Sequence, residues 1–128
     1  MLDTNMVSEV MRRPDGRAGL RFKASRDKLA VSVLVAAELR FGALKRQSEQ
    51  LARRVDSILG VLPVLPLNHP ADRYYAHVRN HLEAIGRPIS GNDLLIAAHA
   101  LALDLTLVTA NIREFSRVPN LRVENWLD

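Results

Sequence analysis

Three carboxylates stand against apolar runs, where a solvated acid would be out of place. Asp3 follows Met1-Leu2, Glu38 sits near the centre of "VSVLVAAELRFGAL" (31–44), and Asp93 heads "LLIAAHALAL" (94–103). A fourth polar cluster, Thr109, Asn111 and Glu114, follows the apolar run Leu105 to Val108. Asp93 beside Asn92 also reads as a helix cap, and Asp3 as a turn residue. Glu38, flanked by Ala36, Ala37, Leu39 and Phe41, fits neither role. Carboxylates that converge repel one another and raise each other's pKa unless a cation neutralises them. The chain has no cysteine, so the ligands on offer are oxygens, which suit the hard ions Mg²⁺ and Mn²⁺. Such an ion, held by a few carboxylates and several waters, keeps positions for phosphate oxygens. A second ion would stabilise attack and departure together in an in-line displacement, and whether one or two would bind stays open.

The elements that must bring these acids together follow from spacing. Asp3 or Thr4 caps a helix that ends before Pro14, after a first strand cut short at Met1-Leu2, either by a misplaced start or because the strand is stunted. Gly16 to Ser25 reads as a basic helix, Leu29 to Leu34 as a buried β-branched strand, Val35 to Gln47 as a helix, and Ser48 to Leu59 as another stopped by Gly60. "VLPVLPL" is a short edge strand, because Pro63 and Pro66 cannot donate to a ladder. Ala71 to Ile85 is helical, with Tyr74, Val78 and Leu82 on one stripe, serving a core or a subunit interface, and Gly86 ending it. After a Pro, Ser and Gly loop, "NDLLIAAHALALD" is a buried helix, "LTLVTAN" a strand with a polar exit, and "LRVENW" a last strand. Strands alternating with helices predict an α/β sandwich with a mostly parallel sheet. Ligands then bind beyond the carboxyl ends of the strands, where all four polar clusters fall.

Bulk properties are consistent with this. The 128 residues, 48% hydrophobic and 25% charged, suit one domain over 1–128 with a real core. No apolar run is long enough for a membrane span, and no secretory signal is expected, which makes a cytoplasmic location the expectation. The net charge is +4, with twelve basic against seven acidic residues up to Val64, so the first half is the half to face a polyanion.

The stretches "LDTN", "SVLVAAELRFGAL", "PISGNDLLIAAHALAL" and "LVTANIREFSRVPNLRVENW" resemble the PIN-domain ribonucleases, most closely the VapC-type toxins of toxin–antitoxin pairs, in order and over essentially the whole chain. The resemblance implies a PIN-like three-layer sandwich, a mostly parallel central sheet flanked by helices. It implies a metal-dependent endoribonuclease that cuts structured RNA, often transfer RNA, once its cognate antitoxin is degraded. It also implies a homodimer, and an antitoxin tail occupying the acidic groove. Asp3, Glu38 and Asp93 match the family's first three acids. Thr4 and Asn5 match the polar residues after the first acid and Ser32 the serine of the second strand; these, with Thr109, would orient ligands or phosphate. The chain departs from the pattern at Val35, where the family often has Ser or Thr, and at Asn111, where many members have a fourth acid. Asn111 is expected to act as a neutral ligand or water-orienting group, with Glu114 assisting. Water activated by the ion would attack the phosphodiester, leaving 5′-phosphate and 3′-hydroxyl ends.

RNA must also be held. Arg12, Arg13, Arg40, Lys45 and Arg46 are the leading candidates for phosphate contacts, with Arg17, Arg21, Lys23, Arg53 and Arg54 behind them. Low aromatic content (5%) favours recognition of backbone and shape over base stacking. His77 and His81, four apart, lack the third ligand of a metal site, and His99 reads as a core histidine. An aspartyl phosphotransferase would need an acid two residues after its nucleophile, where this chain has Asn5. A PIN-fold module that binds RNA or protein without cutting, and a DNA nuclease of the same chemistry, remain as alternatives.

Overall fold

The structure, a computed structural model, describes residues 1–127. Its elements in chain order are α1 (Thr4–Arg12), α2 (Arg17–Ala24), β1 (Val31–Ser32), α3 (Val33–Lys45), α4 (Glu49–Val61), β2 (Val64–Leu65), α5 (Ala71–Ala84), α6 (Gly91–Ala102), β3 (Leu107–Val108), α7 (Ile112–Phe115) and β4 (Val123–Glu124). The strands are short and the pairing is parallel throughout. β1 pairs with β2 and β3 with β4, and Leu2 bridges Val31 on one side and Val108 on the other. The sheet therefore runs β2, β1, Leu2, β3, β4, with the abbreviated first strand at its centre.

Parallel pairing demands crossovers, and the helices provide them. They pack as a chain of neighbours: α2 on α1, α1 on α3, α3 on both α4 and α6, and α6 on α5. Leu2, Val31 and Leu107 are fully buried in the sheet, and Ile96, Ala97 and Ala100 of α6 pack in the same core. The small alanines let α6 approach closely, which explains why "LLIAAHALAL" carries so little polar surface. This is the α/β architecture expected from the sequence, and among the described residues no helix is long and apolar enough to cross a membrane.

Most elements are shorter or shifted relative to the sequence expectation, and three of the differing boundaries have identifiable reasons. The strand expected over Leu29 to Leu34 ends at Ser32, whose hydroxyl accepts from the Leu34 N–H at 3.1 Å and starts α3 two residues early. That cap overrides the strand preference of the β-branched Val31 and Val33. Gly60 does not stop α4, which continues to Val61; Pro63 ends it instead, by forcing Leu62 into an extended conformation (φ −111°, ψ 134°). The loop expected to reach Asn92 gives way at Ser90, whose hydroxyl caps α6 by accepting from the Asp93 N–H. Gly86, by contrast, ends α5 as expected, at φ +69°.

Candidate active site

The carboxyl ends of the parallel strands gather the acids. Asp3 leaves Leu2 at the centre of the sheet and is itself only 4% exposed. Its Oδ1 accepts from the Met6 N–H at 2.9 Å, making it the N-cap of α1, and its Oδ2 accepts from the Thr109 hydroxyl. Burial pushes the Asp3 pKa up; the bonds from Thr109 and Met6 pull it down, and the charge of Glu38 adds a further push upward.

Glu38 projects from the second turn of α3, half-buried. Thr4 Oγ1 donates to its Oε1 at 2.6 Å, and Asn92 Nδ2 reaches its Oε2 at 3.4 Å. Val35 is fully buried in the core, and the hydroxyl that reaches Glu38 comes from Thr4 on α1. Asp93 lies in the first turn of α6. Its pKa is raised to about 6, first by burial and then by the neighbouring carboxylates Glu114 and Asp3, against the Ser90 hydroxyl, which lowers it. Glu114 on α7 accepts from the Ser90 N–H at 3.3 Å and from the Asn111 side-chain amide, and the Asn111 backbone N–H donates to Thr109 Oγ1 at 2.9 Å.

These contacts form a ring of neutral donors around four carboxylates. Thr4 and Asn92 hold Glu38, Thr109 holds Asp3, and Asn111 and Ser90 hold Glu114 against Asp93. No ion pair among the described residues involves Asp3, Glu38, Asp93 or Glu114. The site carries negative charge without a countercharge, and its donors are the hard oxygens that Mg²⁺ or Mn²⁺ prefers. Among the described residues, no three Asp, Glu or His side chains are drawn together into a closed ion site as they stand.

Several expected residues have different work. Ser32 bonds no carboxylate: its hydroxyl caps α3 and lies 2.8 Å from His99 Nδ1. It acts on Glu38 only by fixing the start of the helix that carries it. His99 is buried in the core as expected, and burial lowers its pKa, with the Pro66 carbonyl pulling partly the other way. Asn5 is exposed beside Thr4 and makes no side-chain hydrogen bond to the ring. His77 and His81 are exposed on α5, with no third ligand among the described residues. Ser90 and Asn92 were not anticipated as site residues. The spacing Ser90-x-x-Asp93 ahead of an apolar run is a capping signature that would have found Ser90; nothing local marks Asn92, whose partner is 54 residues away.

The basic candidates divide. Arg12 and Arg13 both clasp Glu9, at 3.0 and 3.1 Å, and Arg40 is bonded to Asp56 at 2.6 Å. Arg21 pairs with Glu124, Lys23 with Asp15, and Arg17 reaches the Leu127 carbonyl at 3.4 Å. Lys45 is exposed at the end of α3. Arg46 and Arg54 line a pocket that begins at Glu38. A larger groove of about 840 Å³ runs between α1, α2 and α4, with Val10, Phe22 and Ile58 in its floor and Lys23, Arg26 and Arg53 on its rim.

Comparison with known proteins agrees with this geometry. Residues 1–121 match the family model of the PIN domain. Ribonuclease VapC2 of Rickettsia felis is 42% identical over 98% of this chain and 96% of its own. The tRNA(fMet)-specific endonuclease VapC of Shigella flexneri is 33% identical over 98% of this chain and 96% of its own. A crystal structure of VapBC2 from Rickettsia felis bound to a DNA fragment from their promoter contains a chain that superposes with a TM-score of 0.92 at 37% identity, covering 98% of this chain and 97% of that one. The fold, the ordered acids and these relatives together show that the chain belongs to the PIN-domain family, among its VapC ribonucleases.

Proposed function

We propose that this chain is a metal-dependent endoribonuclease toxin, a single nuclease unit that cuts structured RNA, transfer RNA foremost, and is held inactive by a cognate antitoxin. The observation that carries this reading is the ring of four carboxylates at the strand ends, held by neutral donors and paired with no cation. The similarity to a tRNA(fMet)-specific endonuclease supports the choice of substrate.

In this reading Asp3, Glu38 and Asp93 hold the ion, with Thr4, Asn92 and Thr109 fixing the carboxylates that would otherwise repel. A Mg²⁺ or Mn²⁺ ion held there would supply positive charge to the phosphate oxygens and would make a water more acidic. Asn111 and Ser90 keep Glu114 beside Asp93, so that one carboxylate beyond the three ligands is positioned to take the proton of the water. Water adds to phosphorus as the bond to the 3′ oxygen breaks, which leaves a 5′-phosphate and a 3′-hydroxyl. Asn111 stands where the resemblance leads one to expect a fourth acid, and its side-chain amide donates to Glu114.

The antitoxin reading is supported by the solved neighbours, which are VapBC complexes, and by the groove between α1, α2 and α4. An amphipathic helix with acidic flanks matches its apolar floor and basic rim. A homodimer is supported by Phe41 and Leu44, neighbours on α3 that are 63% and 76% exposed and gain nothing from solvent.

The test is cleavage of total transfer RNA by purified, antitoxin-free protein. Discrete fragments ending in 5′-phosphate, lost with EDTA and in Asp93→Asn, are expected. Fragments ending in 2′,3′-cyclic phosphate would overturn the mechanism, because they require attack by the ribose. Inactivity with every divalent ion would favour the module that binds without cutting.

A further inference from the structure

The acidic cleft does not end at Glu38. It continues into a side pocket of about 320 Å³ between α1, α3 and α4, and two helical stripes lead from the site into it. Thr4, Ser8 and Arg12 stand four apart on α1; Glu38 and Gly42 stand four apart on α3, and Arg46, four further on, is the C-cap of that helix. Spacing of four puts each trio on one face of its helix. The middle member is small in both. A Cβ built on Gly42 would meet no atom within 4 Å, so the floor between the carboxylate and the arginine is open. Eight residues of helix place Arg46 roughly 12 Å along the axis from Glu38. Arg54, from α4, lines the same pocket.

Arg46 and Arg54 differ from most of the candidates named above. Arg12, Arg13, Arg21, Lys23 and Arg40 are each paired with a carboxylate, whereas Arg46 and Arg54 make no ion pair with any described residue. Their guanidinium groups are exposed and available as planar forks for an anion.

We propose that Arg46 and Arg54 form a subsite for the backbone phosphate of a nucleotide flanking the scissile linkage, with Arg12 at its mouth. This rests on the nuclease reading above. Connectivity favours RNA as the occupant. A strand laid across the carboxylates carries a phosphate at every nucleotide, so a second anion necessarily stands beside the one being cut, and the pocket is continuous with Glu38. The open stripe at Ser8 and Gly42 gives the strand a path, and the arginines offset the repulsion it meets from the acids. An acidic side chain of a protein partner is the competing occupant.

The experiment uses the full chain, free of antitoxin, with tRNA(fMet) as the probe. Arg46→Gln/Arg54→Gln is expected to raise KM about tenfold or more while kcat changes by less than about threefold. Binding measured in EDTA, where no cutting occurs, is expected to show a slope of log Kd against log salt smaller by about one, the signature of one lost phosphate contact. Arg46→Lys/Arg54→Lys should recover part of the affinity, which a fold defect would not allow. Replacing a linkage beside the mapped cut by a neutral methylphosphonate should weaken the wild-type protein and leave the double Gln variant unaffected. An unchanged KM and salt slope, or a methylphosphonate penalty that persists in the variant, would overturn the subsite. Normal cleavage with lost inhibition by antitoxin would assign the arginines to the protein partner and overturn it equally. If the wild-type protein cuts no RNA with any divalent ion, the nuclease reading falls, and the salt slope in EDTA still decides the subsite.

Discussion

Asp93 shows how the site trades stability for chemistry. Its pKa stands near 6 in the folded chain against 3.8 for the free side chain, so the folded state binds the proton more tightly than the unfolded state. Stability is therefore fully present below about pH 4 and falls as pH rises to about 6. A shift of this size would be worth about 3 kcal/mol, and for a half-exposed group screening reduces it to about 1 kcal/mol. Asp93→Asn should raise the Tm of the metal-free protein at pH 7.5 by a few degrees, show no such gain at pH 4, and remove cleavage. A lower Tm at pH 7.5 would mean that the Asp93 charge is already compensated. Mg²⁺ should raise the Tm of the wild-type protein more than that of the variant. Glu38 stood out in the sequence because a charge inside an apolar run has few structural uses, whereas Asp3 and Asp93 also read as cap or turn residues and were marked only by their conjunction with it. The donors around them were less so. Thr4 to Glu38 and Thr109 to Asp3 are contacts 34 and 106 residues apart, and no local pattern encodes such a distance.

At the scale of the element, caps decide where the functional residues stand. Ser90 caps α6, and its N–H also holds Glu114, so one residue fixes both Asp93 and the carboxylate beside it. Ser90→Ala should cost about 1 kcal/mol of stability, read from denaturant midpoints, and should lower kcat while leaving the salt dependence of RNA binding unchanged. A loss of stability with full kcat would show that Asp93 needs no such support. The longer helices α3 to α6 were read from spacing because each runs for three or more turns. The ends were harder: Ser32 starts α3 earlier than the β-branched run suggested, and Pro63 rather than Gly60 ends α4. The strands are two residues long, too short for period-two alternation to mark their limits, and the single turn of α7 is too short to leave any periodicity.

For the whole molecule, the parallel sheet explains why acids 90 residues apart in sequence meet. Every strand delivers its carboxyl end to the same edge, so the alternation of strands and helices pointed to that edge as the place to look for a site before any contact was known. The claim to test is that this edge is a divalent-ion site whose occupancy makes the protein a ribonuclease. The most direct measurement is a Mn²⁺ titration of the antitoxin-free protein at pH 7.5, with ion binding by calorimetry and tRNA cleavage followed over the same concentrations, beside Glu38→Gln. The account predicts that binding and cleavage rise together and that both are lost in the variant while its fold, judged by circular dichroism, is retained. Cleavage that persists in Glu38→Gln, or that proceeds before any ion is bound, would contradict it.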